Sequence, residues 1–112
     1  MALNIFYIDD EPLLCEIFSD YFNEQDVIVH TFTDPHIALN SSDAGKVDLL
    51  FVDFRMPQMS GEKFAEIFDK KFPNKTDYYL LTGEIDPIVS FNFKSIINKP
   101  YAVDTVREVI LK

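Results

Sequence analysis

Cysteine occurs once, at position 15, so no disulfide can close within the chain. With no secretion signal legible, the expected compartment is a reducing cytoplasm. No apolar run comes near the ~20 residues that a membrane-spanning helix needs. Basic residues are few: 10 Lys and Arg stand against 19 Asp and Glu, a net charge of −9, and no basic cluster exceeds Lys70-Lys71. Phosphate backbones would be repelled, which argues against direct nucleic-acid binding. His30 and His36 have no carboxylate or cysteine at ligand spacing and read as ordinary surface or edge residues. Linkers, repeats and low-complexity stretches are missing too, and 112 residues suffice for one domain but not two, so residues 1–112 are expected to form one unit. What is plentiful is apolar: 47% of the residues, 11 of them Phe, which excludes disorder and allows a core without staples.

That apolar material is punctuated regularly. Residues 3–8 form a first strand running into Asp9-Asp10-Glu11-Pro12, where proline behind acidic residues starts a helix. Leu14, Ile17, Phe18 and Tyr21 follow at helical spacing to about Asn23, with Cys15 beside that stripe as a small hydrophobe. Val27 to Phe32 reads as a second strand, and Thr33-Asp34-Pro35 opens a short helix that ends within Ser41 to Gly45. The third strand, Leu49 to Val52, is apolar throughout, as a strand buried on both faces should be, and it stops on Asp53. Ser60 caps a third helix with Phe64, Ile67, Phe68 and Phe72 on one stripe, stopped by Pro73-Asn74. Tyr78 to Leu81 is a fourth strand ending on Thr82-Gly83; Asp86-Pro87 starts a helix with little room before a fifth strand, Ser95 to Asn98. Lys99-Pro100 closes it, and Val103, Val106 and Ile110 mark a last helix to the C-terminus. Alternation of this kind implies an α/β fold, a doubly wound five-stranded parallel sheet in the flavodoxin-like order 2-1-3-4-5, with a shortened fourth helix.

In a parallel sheet every strand ends on the same edge. Asp9 and Asp10, Asp53, Thr82 and Lys99 therefore meet at one rim although they are far apart in sequence. Two carboxylates about 4 Å apart repel by ~4 kcal/mol at an effective dielectric near 20, so the cluster calls for a cation. Oxygen ligands without His or Cys suit Mg²⁺. Lys99 adds a positive charge and Thr82 a hydroxyl donor. This is the set a phosphoryl-transfer site with a carboxylate nucleophile requires: the oxygen of Asp53 attacks phosphorus, and the cation, Lys99 and Thr82 stabilise the equatorial oxygens.

The acid pair Asp9-Asp10, the segment Asp53-Phe54-Arg55-Met56-Pro57-Gln58-Met59-Ser60-Gly61, Thr82-Gly83 and Lys99-Pro100 resemble, in order and each at a strand end, a two-component response-regulator receiver domain. The chain is similar to the single-domain chemotaxis regulators across essentially its whole length. The resemblance implies that Asp53 accepts a phosphoryl group from a histidine kinase's phosphohistidine, a phosphotransfer protein or a small phosphodonor. It implies that Asp10, Asp53 and the backbone carbonyl of Arg55 ligate Mg²⁺, with Asp9 acting through water, and that Lys99 and Thr82 contact the phosphoryl group. Pro57 and Gly61 would shape the loop after the phosphorylated strand. Arg55 and Glu84 would stand at the mouth of the site, able to pair and to slow hydrolysis of the acyl phosphate. A receiver is a switch whose only chemistry is its own phosphoryl transfer and dephosphorylation. Output is expected through an unidentified downstream protein, an effector domain or a phosphorylation-dependent homodimer.

Two departures stand out. Seventeen positions separate Thr82 from Lys99, several fewer than receivers usually have, so the intervening helix should be short or poorly formed. The family's aromatic switch residue stands three positions before the lysine, and here that residue is Ile96, with Phe91, Phe93 and Tyr101 as substitutes. Both departures allow an alternative reading, a degenerate receiver that binds a partner without being phosphorylated. A haloacid-dehalogenase-like phosphatase would want an Asp where Arg55 stands, and a flavodoxin would want a hydroxyl- and glycine-rich loop in place of Asp9-Asp10-Glu11-Pro12.

Overall fold

Five stretches of β-branched, aromatic and aliphatic residues form the strands β1 (Leu3–Ile8), β2 (Val27–Phe32), β3 (Leu49–Asp53), β4 (Asp77–Thr82) and β5 (Ser95–Asn98). The helices are α1 (Pro12–Phe22), α2 (Pro35–Leu39), α3 (Gly61–Lys71) and α4 (Val103–Leu111), with a short 3-10 turn at Ala44–Lys46. The computed structural model describes residues 2–73 and 75–111. All strand pairings are parallel and the order is β2-β1-β3-β4-β5. Central β3 is buried at every position, the consequence of helices covering both faces. On one face Phe6, Ile8, Leu50, Val52 and Leu80 meet α2 and α3; on the other Ile5, Tyr7, Phe51, Tyr79 and Leu81 meet α1 and α4. Period-two alternation along each strand divides the two sets.

The expected elements are present, except the short helix between β4 and β5, with strand ends shifted by no more than a residue. Asp34 caps α2 by accepting from the His36 N–H, and Ser60 caps α3 by accepting from the Lys63 N–H. The Pro73-Asn74 stop of α3 involves Asn74, which lies outside the described residues, as does Lys112 at the end of α4. Three details correct the sequence reading. The inward face of α1 is Cys15, Phe18 and Phe22, whereas Ile17 and Tyr21 face solvent. Its rotation is set by Phe18, whose ring stacks on Tyr7 at 4.2 Å and lies 5.3 Å from Phe51. At the start of that helix Glu11 makes no side-chain cap; instead its N–H donates to Asp9 Oδ1 at 3.1 Å.

The third correction concerns residues 83–94, which form no helix at all. Asp86 has φ +50°, outside helical geometry, and Pro87 follows it. Part of what helical hydrogen bonds would supply comes from a side chain: the Glu62 carboxylate at the start of α3 accepts from the Ser90 N–H and, at 2.7 Å, from the Phe91 N–H. Phe91 then packs edge-on against Tyr78 at 4.9 Å and Phe93 against Phe91 at 5.0 Å, filling space on the sheet face.

The entry of α3 is the tightest joint. The Gly61 N–H donates to the Phe54 carbonyl at 2.8 Å, and a Cβ on Gly61 would stand 2.4 Å from the Asp53 carbonyl oxygen and 3.2 Å from Leu80 Cδ1. Only glycine lets helix and strand end approach so closely. Nothing lies within 4 Å of a Cβ built at Gly45. Gly61→Ala is therefore expected to cost about 1–3 kcal/mol in urea unfolding, the range of a forced backbone displacement, with Gly45→Ala changing stability by less than about 1 kcal/mol.

Candidate functional site

At the carboxyl edge of the sheet the strands deliver their polar ends to one place. Asp9 follows β1, and its N–H is tied to the Phe32 carbonyl at the end of β2. Asp53 ends β3, and the next N–H, that of Phe54, bonds to the Leu81 carbonyl of β4. Thr82 ends β4 and accepts from the Lys99 N–H beyond β5 through its carbonyl, at 2.8 Å. Backbone bonds between neighbouring strands thus set the relative heights of all four residues. Asp10, Glu11, Asp53, Arg55, Thr82, Gly83, Glu84 and Lys99 surround an open cleft of about 370 Å³.

Asp9 is wholly buried, and three donors satisfy its carboxylate: Lys99 Nζ at 3.0 Å and the Tyr7 hydroxyl at 3.3 Å on Oδ2, and the Glu11 N–H on Oδ1. Lys99 also reaches Asp53 Oδ1 at 3.2 Å, so one ammonium bridges the carboxylates that end β1 and β3. Burial, first of all, and then the charge of Asp9 push the Asp53 carboxyl up to about 6; Asp10 adds to the rise and Lys99 opposes it. Burial would lower the Lys99 ammonium, but its hydrogen bonds and charge contacts with Asp9 and Asp53 outweigh that and hold it above its ordinary value. The Thr82 hydroxyl accepts from the Glu84 N–H at 3.0 Å, which leaves its own proton for an acceptor elsewhere.

One oxygen from each of Asp9, Asp10 and Asp53 lies within 4.8 Å of the others. This all-oxygen donor set fits a hard divalent cation such as Mg²⁺. The Cys15 thiol lies behind it, donating to the Asp9 carbonyl at 3.3 Å. Burial and then the Asp9 charge push that thiol up to about 11, so it stays a neutral donor rather than a soft ligand.

Arg55 and Glu84 close one side of the cleft with a two-point pair, Nε to Oε2 at 2.6 Å and the second guanidinium nitrogen to Oε1 at 3.2 Å. The Arg55 guanidinium also lies 4.3 Å from the centre of the Phe54 ring, and the Arg55 backbone bridges Ser60. Each partner holds the other charged: Glu84 raises the Arg55 pKa, and Arg55 lowers that of Glu84.

Asp9, Asp10, Asp53, Arg55, Thr82, Glu84 and Lys99 thus meet at this edge. Of the aromatic substitutes for Ile96, only Tyr101 comes to it; Phe91 and Phe93 pack at Tyr78, four positions before Thr82 on β4. Sequence reasoning missed Tyr7, although period two places it on the same face as Asp9 and a buried phenol demands a partner. It also missed Cys15 behind Asp9, for which the pattern holds no signal.

The sequence matches the family described as response regulator receiver domain over residues 5–111. It is 37% identical over 81 residues to the cyclic di-GMP phosphodiesterase response regulator RpfG of Xanthomonas campestris pv. campestris, an alignment covering 69% of this chain and 21% of that protein. The chain spans about a fifth of the length of the curated relatives it matches. Among solved structures, the response regulator TrrA of Thermotoga maritima, in complex with Mg²⁺ and BeF, is 25% identical, with a TM-score of 0.81 over 97% of this chain and 96% of that one. The Vibrio cholerae chemotaxis protein CheY4, 18% identical, shares the fold with a TM-score of 0.82 over 99% and 98%.

The raised Asp53 pKa has a measurable cost. Between its ordinary value near 4 and about 6, the folded chain holds a proton that the unfolded chain has released, so stability falls as pH rises through that window. In EDTA, Asp53→Asn is expected to stabilise the fold by about 1–3 kcal/mol near pH 7.5, with the gain fading below about pH 4. Urea unfolding at the two pH values checks this.

Proposed function

The chain belongs to the response regulator receiver domain family, and on that premise we propose that it is a phosphorylation-controlled switch whose acceptor is Asp53. The observation that carries the reading is the Lys99 ammonium, within 3.2 Å of Asp53 and 3.0 Å of Asp9 beside a third carboxylate in an open cleft. A carboxylate with a pKa near 6 is mostly ionised at neutral pH and needs no general base.

An Asp53 oxygen forms a new bond to phosphorus as the donor's N–P bond (phosphohistidine) or O–P bond (acyl phosphate) breaks, the electron pair leaving with the donor. Lys99 then follows the negative charge from the Asp53 carboxylate onto the phosphoryl oxygens, and the Thr82 hydroxyl donates a hydrogen bond to one of them. Asp10, Asp53 and the Arg55 backbone carbonyl would hold Mg²⁺, with Asp9 acting through water. When bound, Mg²⁺ supplies positive charge to the phosphoryl oxygens and relieves the carboxylate repulsion. The donor is a histidine kinase or phosphotransfer protein, and output runs through a partner, an effector domain or self-association. The alternative, a phosphorylation-independent binding module, draws support from the helix-free segment 83–94 on the face that the family's partners read.

Intact mass after incubation with acetyl phosphate separates the two readings. A single phosphoryl adduct that requires Mg²⁺ and disappears in Asp53→Asn is expected. No adduct, together with no response to beryllofluoride, would leave the binding module standing. The Arg55–Glu84 pair screens the cleft from attacking water, so Glu84→Ala should shorten the phosphoaspartate half-life by roughly two- to fivefold, the scale of an exposed ion pair. An unchanged half-life would remove the pair from the mechanism.

A further inference from the structure

A signal leaving Asp53 needs a physical connection to the surface, and the usual position for an aromatic reporter offers none. Ile96 has no polar group and is 40% exposed. Phe91 and Phe93 are held at the far end of β4 by Tyr78 and Glu62. Tyr101 is different. Its hydroxyl lies 3.1 Å from that of Tyr7, which in turn lies 3.3 Å from Asp9 Oδ2, the oxygen that also receives Lys99 at 3.0 Å. A phenol carries one proton. Tyr7 gives its proton to the carboxylate, so Tyr101 must be the donor to Tyr7, and the chain of donors runs in one direction from Tyr101 to Asp9.

The two ends of this chain face different surroundings. Tyr7 is wholly buried, whereas Tyr101 is half-buried and lines an open cleft of about 300 Å³ between β5 and α4, beside Ile96, Pro100 and Thr105. We propose that Tyr7 is a positioning residue acting through Asp9, and that Tyr101 is the aromatic reporter of this chain, reading the position of Lys99 through the hydrogen bonds Tyr101–Tyr7–Asp9. The inference rests on Asp53 being the phosphoryl acceptor. Once Lys99 moves onto the phosphoryl oxygens, Asp9 Oδ2 keeps Tyr7 as its donor among the described residues. Its bond to Tyr7 strengthens, Tyr7 becomes a better acceptor, and Tyr101 is drawn inward, because hydrogen bonds in series polarise one another. The surface cleft beside α4 then changes shape at Tyr101, a side chain that spans both environments.

The test uses the protein labelled with 3-fluorotyrosine, its five tyrosine signals assigned by single Tyr→Phe variants, with Mg²⁺ and beryllofluoride as the probe. In the unsubstituted chain the Tyr7 and Tyr101 fluorine signals should both shift on adding the probe. In Tyr7→Phe the Tyr101 shift should fall by roughly threefold or more, while the amides around Asp53 respond as before. Tyr101→Phe should leave most of the Tyr7 shift in place, because Tyr7 answers to Asp9 directly; if Tyr7→Phe does not fold, a Tyr101 shift without a Tyr7 shift in the unsubstituted chain would overturn the relay. A Tyr101 shift that survives removal of the Tyr7 hydroxyl, or no Tyr101 shift at all, would overturn the relay. Amides around Asp53 that ignore the probe in the unsubstituted chain would instead overturn the acceptor reading, and the relay with it.

Discussion

One ammonium between two carboxylates is the interaction on which this structure turns. Asp9 holds a carboxylate away from bulk solvent, an arrangement that is costly unless donors surround it. Lys99, Tyr7 and the Glu11 N–H provide them. Each donor comes from a different part of the chain, so the site exists only when β1, the turn into α1 and the end of β5 are all in place. The side chain at the end of β5 must cross β4 to reach β3 and β1, with neighbouring strands about 4.8 Å apart. A long, flexible stem ending in a compact charge meets that requirement. Asp53 is the member left incompletely compensated. Burial and its acidic neighbours keep its pKa high, and Lys99 offsets that only in part.

The opposite half of the rim is built differently. Where a helix would ordinarily cover the sheet between β4 and β5, twelve residues are held by side chains: Glu84 on Arg55, Glu62 on two backbone N–H groups, Lys94 on Asp77, and Phe91 and Phe93 on Tyr78. These anchors leave Ile85 87% and Ile88 94% exposed. A helix presents a periodic face, whereas this segment presents two isolated side chains on a pinned loop. Its attachment to Arg55 and Thr82 at one end and to α3 at the other ties its shape to the mouth of the cleft.

Much of the fold was legible from local pattern. The apolar run of β3, the proline starts of α1 and α2 and the Ser60 cap each depend on residues within a few positions of one another, and each is seen where expected. The site was legible for a related reason: parallel strands share an edge, so residues marking strand ends had to converge. The rotation of α1 was not legible, because Leu14, Ile17, Phe18 and Tyr21 form as good a stripe as Cys15, Phe18 and Phe22. The choice between them was made by the Tyr7 and Phe51 rings waiting on the sheet. The complete loss of the fourth helix was only half legible. The short spacing limited it, but the Glu62 carboxylate that replaces part of its hydrogen bonding lies 28 positions before Ser90.

The sequence by itself therefore determined the order of strands and helices, the two-sided core, and the gathering of Asp9, Asp10, Asp53, Thr82 and Lys99 at one edge, because periodicity and punctuation act between near neighbours. Tertiary structure alone decided which side chains touch: Lys99 on both Asp9 and Asp53, Arg55 on Glu84, and Tyr101 on Tyr7 across 94 positions of chain. Such contacts depend on strand register, helix rotation and the last few ångströms of side-chain reach, and those quantities are set only when all the layers close on one another.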